Sequence, residues 1–154
     1  GFVSRAPMAV MRGKIPTKCM AYYMPLSNLP QKIVIALFGD MMIKQYDFEE
    51  CYFLEKAKLF RKALKGPLVY VGGLVSREGI EKVLDEGFEC VQMARALVND
   101  PAFVNKLRDG DMTVRSGCDH RDYCMARMYS DRMICCHNCN DIPGKLWKEI
   151  DRIK

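Results

Sequence analysis

Two apolar runs end on residues suited to holding an anion. In Pro67-Leu-Val-Tyr-Val-Gly-Gly-Leu74 the β-branched stretch stops at Gly72 and Gly73. In Phe88-Glu-Cys-Val-Gln-Met-Ala-Arg-Ala-Leu97 it stops at Ala94, with Arg95 next. Glycine lets backbone N–H groups come close to a ligand, and arginine adds a fixed positive charge with several donors. In parallel α/β structures ligands bind at the carboxyl ends of the strands, and a TIM barrel often holds a phosphate between its last two βα loops. Gly72, Gly73, Ala94 and Arg95 are therefore the candidate phosphate-binding residues. No side chain can be named as a catalytic acid, base or nucleophile, so the catalytic residues are unknown.

Cysteine is the second chemically active feature. Cys118, Cys124, Cys135, Cys136 and Cys139 fall within 22 residues, whereas Cys19, Cys51 and Cys90 are scattered. No charged, apolar, cleavable leader follows Gly1, so metal binding or free thiols are expected rather than a disulfide framework. Thiolates are soft, charged donors that suit zinc and iron–sulfur clusters. His120, or Cys139 of the Cys136-x-x-Cys139 pair, can complete a tetrahedral zinc set with Cys118 and Cys124. Cys51 and Cys90 are expected to pack as small hydrophobes.

The elements that must position these residues follow from pattern. Strands are expected over 67–72 and 89–94, adjacent and parallel, joined through a helix over 76–86. Ser76 caps that helix, Ile80, Val83 and Leu84 form its buried face, and Gly87 ends it. Asp47 reads as an N-cap with Glu50 completing a capping box, and Phe53, Ala57, Phe60 and Leu64 carry that helix to about Lys65. Asp100-Pro101 opens a further helix that Gly110 closes. Residues 1–46, with Pro7, Pro16, Pro25 and Pro30, show no sustained period and read as one long loop. Its methionines, with Tyr22 and Tyr23, serve ordinary packing, a subunit contact or a substrate-pocket lining. Residues 47–110 hold the βα units, and 111–154 form a Cys-rich C-terminal segment ending in a short helix around Trp147.

The tract from Tyr70-Val-Gly-Gly-Leu74 through Val91-Gln-Met-Ala-Arg-Ala-Leu97 to Asp100-Pro101-Ala-Phe-Val-Asn-Lys-Leu107 resembles the C-terminal part of the old yellow enzyme family. These are FMN-dependent NADH:flavin oxidoreductases, including the branch like 2,4-dienoyl-CoA reductase. The stretches Ser4-Arg-Ala-Pro-Met8, Met11-Arg-Gly-Lys-Ile-Pro16 and Phe38-Gly-Asp-Met-Met-Ile43 are similar to the family's long connection after strand six. The resemblance implies the last two strands of a TIM (β/α)8 barrel. It also implies FMN as cofactor, NAD(P)H as co-substrate and an activated alkene or similar small molecule as acceptor. It places the FMN phosphate on Gly72, Gly73, Ala94 and Arg95, with Ala94 standing where glycine is usual. It further implies a [4Fe-4S] site, for which Cys118, Cys124 and Cys136 occupy ligand-like positions, whereas Arg121 stands where another cysteine is expected. The alternative is a non-catalytic metal-binding or interaction module built on the Cys118–Cys139 cluster.

Composition narrows the class little further. The chain has 154 residues, 49% hydrophobic and 28% charged, with a net charge of +5 from dispersed basic residues. No nucleic-acid motif accompanies that charge, and no apolar run is long enough for a membrane span. A cytoplasmic protein is expected. A TIM barrel needs about 250 residues, so the chain reads as a fragment. Two strands leave open sheet edges, and the missing N-terminal barrel portion or further copies of the chain are the expected partners.

Overall fold

The computed structural model describes residues 12–110 and 113–153. They divide into two units, one built from residues 12–47 with 119–153, the other from Phe48–Cys118.

The second unit carries the expected β-α-β arrangement. Strand β1 (Val69–Val71) pairs in parallel with β2 (Cys90–Gln92), in the register Val69↔Cys90, Tyr70↔Val91, Val71↔Gln92. Both strands are shorter than their apolar runs, because Gly72 and Met93 already leave the ladder. The crossover contains α4 (Arg77–Asp85). Its cap is the predicted one: the extended backbone of Ser76 lets its Oγ accept from the Gly79 N–H at 3.0 Å. Val83 is fully buried with Tyr70, Leu74, Phe88, Leu54 and Cys51 around it. Burying one such aliphatic side chain contributes about 1.5–3 kcal/mol. Leu84, expected on the same face, is 41% exposed instead.

The preceding helix differs from its sequence reading. Helix α3 (Leu54–Ala63) starts well after Asp47, and Phe53 occupies its N-cap position. Cys51 adopts a positive φ of 58°, which interrupts any helix begun at Asp47. Glu50 binds the loop after β1. The distal part of the α3 stripe, Phe60 and Leu64, is exposed and lines an open apolar groove of about 240 Å³ with Val69 and Val71. Beyond β2, α5 (Arg95–Asn99) and α6 (Phe103–Arg108) complete the unit. Asp100 sits between them as a side-chain turn, its Oδ1 accepting from the Ala102 N–H at 3.0 Å, so α6 opens two residues later than expected.

The first unit corrects the reading of residues 1–46 as a loop. Within it lie α1 (Thr17–Tyr23), a 3₁₀ turn (Leu26–Asn28) and α2 (Leu29–Met42). The part before residue 12, with Met8 and Met11, lies outside the described residues. Pro30 sits in the first turn of α2, where a missing N–H costs nothing. Helix α2 escapes a periodicity search because it is apolar around most of its circumference. It buries Gly39 and leaves Ile33, Leu37, Phe38, Met41 and Met42 exposed. Helices α7 (Tyr123–Ala126) and α8 (Gly144–Arg152) pack on α1, and α8 buries Leu146 and Ile150 as the terminal helix expected around Trp147. Among the described residues no helix is long and apolar enough to cross a membrane.

The α1–α2 contact depends on a missing side chain. A Cβ added to Gly39 would stand 2.7 Å from the Thr17 Cβ, and Thr17 Oγ1 donates to Asp40 Oδ1 at 2.6 Å. Gly39→Ala gains about 0.5–1 kcal/mol of helix propensity, but overpacking costs about 1–3 kcal/mol. The net expectation is a loss, seen as a melting temperature roughly 2–8 °C lower in calorimetry. An unchanged or raised value would mean that α2 does not approach Thr17 so closely. Asp40 supplies a pH test at the same place. The Thr17 hydrogen bond, reinforced by the paired Arg152, lowers its pKa below the ordinary 3.8. Its contribution to stability is therefore complete above about pH 4 and lost as pH falls through the lowered folded value. In melts at stepped pH, Asp40→Asn should lose stability less steeply below pH ~4 than the parent.

Candidate functional site

The four predicted anion-site residues leave the same edge of the sheet. The Val71↔Gln92 register sets Gly72-Gly73 beside Met93-Ala94-Arg95, on strands about 4.8 Å apart. Gly72 and Gly73 have φ values of 150° and 71°, a conformation that side chains resist. A Cβ on Gly73 would lie 2.6 Å from the Tyr52 ring, and one on Gly72 3.0 Å from the Phe53 ring. Protein aromatics therefore fill the side of the turn where side chains would stand, and a ligand would meet its peptide edge. Ala94 is exposed and Arg95 half-buried at the first residue of α5. Small residues, bare backbone and one guanidinium fit the phosphate of a flavin mononucleotide in kind.

Sequence reasoning missed the two side chains that hold this turn. The Tyr70 hydroxyl donates to the Gly72 carbonyl at 2.9 Å and accepts from the Phe53 N–H at 3.2 Å. Burial pushes its pKa upward, which keeps the hydroxyl neutral and able to do both. Glu50 Oε1 accepts from the Val75 N–H at 3.0 Å and from the Ser76 N–H and Oγ, each at 2.9 Å. Glu50 Oε2 pairs with Arg115 at 3.1 Å. Segment 114–116 closes the loop from its other flank: the Ser116 N–H donates to the Val75 carbonyl at 2.7 Å, and Arg77 N–H to the Val114 carbonyl at 3.3 Å. No local pattern marks these partners, because Tyr70 reads as one more strand residue and Glu50 as a helix cap.

All eight cysteines are free thiols. Cys51 is buried, its thiol donating to the Gly79 carbonyl at 3.5 Å, whereas Cys90 is exposed rather than packed. Cys118 belongs to the second unit, and Cys124, Cys135, Cys136 and Cys139 are buried in the first. Cys139 is engaged locally, accepting from Arg127 Nη1 at 3.3 Å and donating to Asp141 Oδ1 at 2.7 Å. The position that the family resemblance reserves for a fourth cluster ligand is Arg121, whose guanidinium has no acceptor atom. It is buried, with Nε on Asp119 Oδ2 at 2.5 Å and Nη1 on Asp151 at 3.0 Å. These residues do not fit a four-cysteine iron–sulfur centre. A different set does converge: Asp119, Cys136 and His137 present donor atoms within 4.8 Å of one another. His120, the other zinc candidate, has a positive φ of 57°, and its carbonyl accepts from the Lys14 N–H at 3.0 Å.

Over 125 residues, 80% of this chain, it is 38% identical to the 4,4'-dithiodibutanoate disulfide reductase of Rhodococcus erythropolis. The chain spans about 30% of the length of that protein. No family model and no solved structure matches the chain.

The Glu50 network makes a direct prediction. Glu50→Ala strands the Val75 and Ser76 N–H groups, both on buried residues, at about 1–3 kcal/mol for each unsatisfied donor. Arg115→Ala removes only an exposed ion pair, worth about 0–1 kcal/mol. In denaturant melts Glu50→Ala should lose at least roughly 2 kcal/mol more than Arg115→Ala. Equal losses would show that the carboxylate does not hold the loop.

Proposed function

We propose that this chain forms part of an FMN-dependent NAD(P)H oxidoreductase, contributing the last two strands of a TIM barrel and the flavin phosphate site. The observation that carries the proposal is the parallel β1–β2 register, with Gly72-Gly73 and Ala94-Arg95 leaving one sheet edge. The disulfide reductase relative supports redox chemistry, and the resemblance of the Tyr70–Leu107 tract to the old yellow enzyme family supports the flavin. Bound FMN would relay two electrons from NAD(P)H to a small-molecule acceptor. For an organic disulfide, the class in the relative's name, the balance is NAD(P)H + H⁺ + RSSR → NAD(P)⁺ + 2 RSH. An activated alkene is the acceptor that the family resemblance favours.

In this reading the residues of the chain bind and orient. Peptide N–H groups of the Gly72-Gly73 turn and of Ala94-Arg95 supply neutral donors to the phosphate, and the Arg95 guanidinium adds a charge-assisted bond. Tyr70 and Glu50 act through the loop, holding its carbonyls and N–H groups so that the turn keeps its shape. The exposed apolar groove beside β1 is the surface on which the remaining barrel would pack.

Arg95 tests the assignment. A hydrogen bond to a charged group contributes about 1.5–3 kcal/mol, and each ~1.4 kcal/mol is tenfold in affinity. Arg95→Ala should weaken FMN binding roughly ten- to a hundredfold in fluorescence-quenching titrations of the full-length protein. Arg108 is exposed and paired with its neighbour Asp109, so Arg108→Ala should leave the affinity within about twofold. Equal and negligible losses at both positions would place the phosphate elsewhere.

A further inference from the structure

The first unit holds a three-donor cluster of mixed chemistry. Asp119 enters the unit from the chain crossing, while Cys136 and His137 lie on the 3₁₀ turn Cys136–Asn138. One carboxylate oxygen, one thiol sulfur and one imidazole nitrogen stand within 4.8 Å of one another. His137 Nε2 already lies 2.9 Å from Asp119 Oδ2. Cys136 is 4% exposed, while the His137 and Asp119 side chains are each 37% exposed, so the cluster has a buried floor and an open mouth.

We infer that Asp119, Cys136 and His137 form a binding site for a zinc-class divalent cation, with its fourth position open to water. Zinc binds sulfur at about 2.3 Å and nitrogen or oxygen at about 2.0–2.2 Å, which sets tetrahedral donors roughly 3.3–3.8 Å apart. The widest separation must close by about 1 Å while the His137–Asp119 pair, now at 2.9 Å, opens slightly, both within reach of the two half-exposed side chains. A thiolate with an imidazole selects zinc over the hard cations magnesium and calcium. A lone thiolate does not suit a cluster held by four cysteines.

Charge balance and the Arg121 contact agree with this set. Binding deprotonates Cys136 and releases one proton, so thiolate and carboxylate together neutralise the dication. Arg121 then keeps its place on the ligating carboxylate, the outer partner that metal-bound carboxylates commonly have. Its own charge is met by Asp151 at 3.0 Å. The metal would replace the His137–Asp119 hydrogen bond and tie the turn at Cys136 to the segment at Asp119. The site is independent of the flavin reading and uses only one of the three cysteines marked by the family resemblance.

Cobalt titrated into the full chain with reduced thiols provides the test, since a cobalt–thiolate bond gives a charge-transfer band that zinc displaces. One equivalent should bind with the intensity of a single thiolate. Cys136→Ser should abolish the band. His137→Gln and Asp119→Asn should each weaken cobalt binding at least about tenfold, as even outer partners of metal ligands cost that much. Cys118→Ser and Cys124→Ser should leave it in place. Circular dichroism checks that each variant folds, and the two half-exposed positions decide the matter if Cys136→Ser does not. Absence of a band in the parent chain overturns the assignment. So does a band of several thiolates, or one retained in His137→Gln and Asp119→Asn but lost in Cys118→Ser.

Discussion

The carboxylate of Glu50 is the interaction on which the second unit depends. One oxygen takes two backbone N–H groups and a hydroxyl from Val75 and Ser76. The same Ser76 hydroxyl caps α4 through Gly79. A single side chain thus couples the exit of β1 to the start of the crossover helix. Gly79 must lack a side chain for this, since a Cβ there would stand 2.4 Å from Glu50 Oε1. Buried N–H groups without partners are costly, so the loop has few alternatives to this geometry. The Gly72-Gly73 turn inherits its position from that restriction and from the Tyr70 hydroxyl.

The first unit is organised around polar contacts to helix surfaces. Tyr23 and Tyr123 share a hydrogen bond at 2.7 Å, and the Arg127 guanidinium lies 4.8 Å from the Tyr23 ring centroid. The buried Glu149 carboxylate is met by Lys18 at 3.4 Å and Arg152 at 2.8 Å. Burial, with the charge of Glu149, pushes the Cys19 thiol up to about 12, which makes it an inert packing group. The Cys136 pKa is raised too, first by its hydrogen bond with Cys135 and then by burial. Chemistry at the cysteines is therefore set by their surroundings rather than by their number.

Local signals in the sequence determined the β-α-β unit, the Ser76 cap, the terminal helix and the four residues at the strand ends. Each of these rests on interactions within a few residues: alternation of apolar side chains, a hydroxyl before a helix, glycines where φ is positive. The helices of residues 17–42 were not legible, because α2 has apolar residues on most sides and no stripe to betray its period. The start of α3 was misplaced because a capping-box pattern at Asp47 and Glu50 is also what a loop-binding carboxylate looks like. Tertiary structure alone decided that Glu50 reaches Ser76, that Tyr70 meets the Phe53 N–H, and that Asp119 meets Cys136 and His137. Those pairings span 17 to 26 residues of chain, and partners at that range are chosen by packing, which no local pattern encodes.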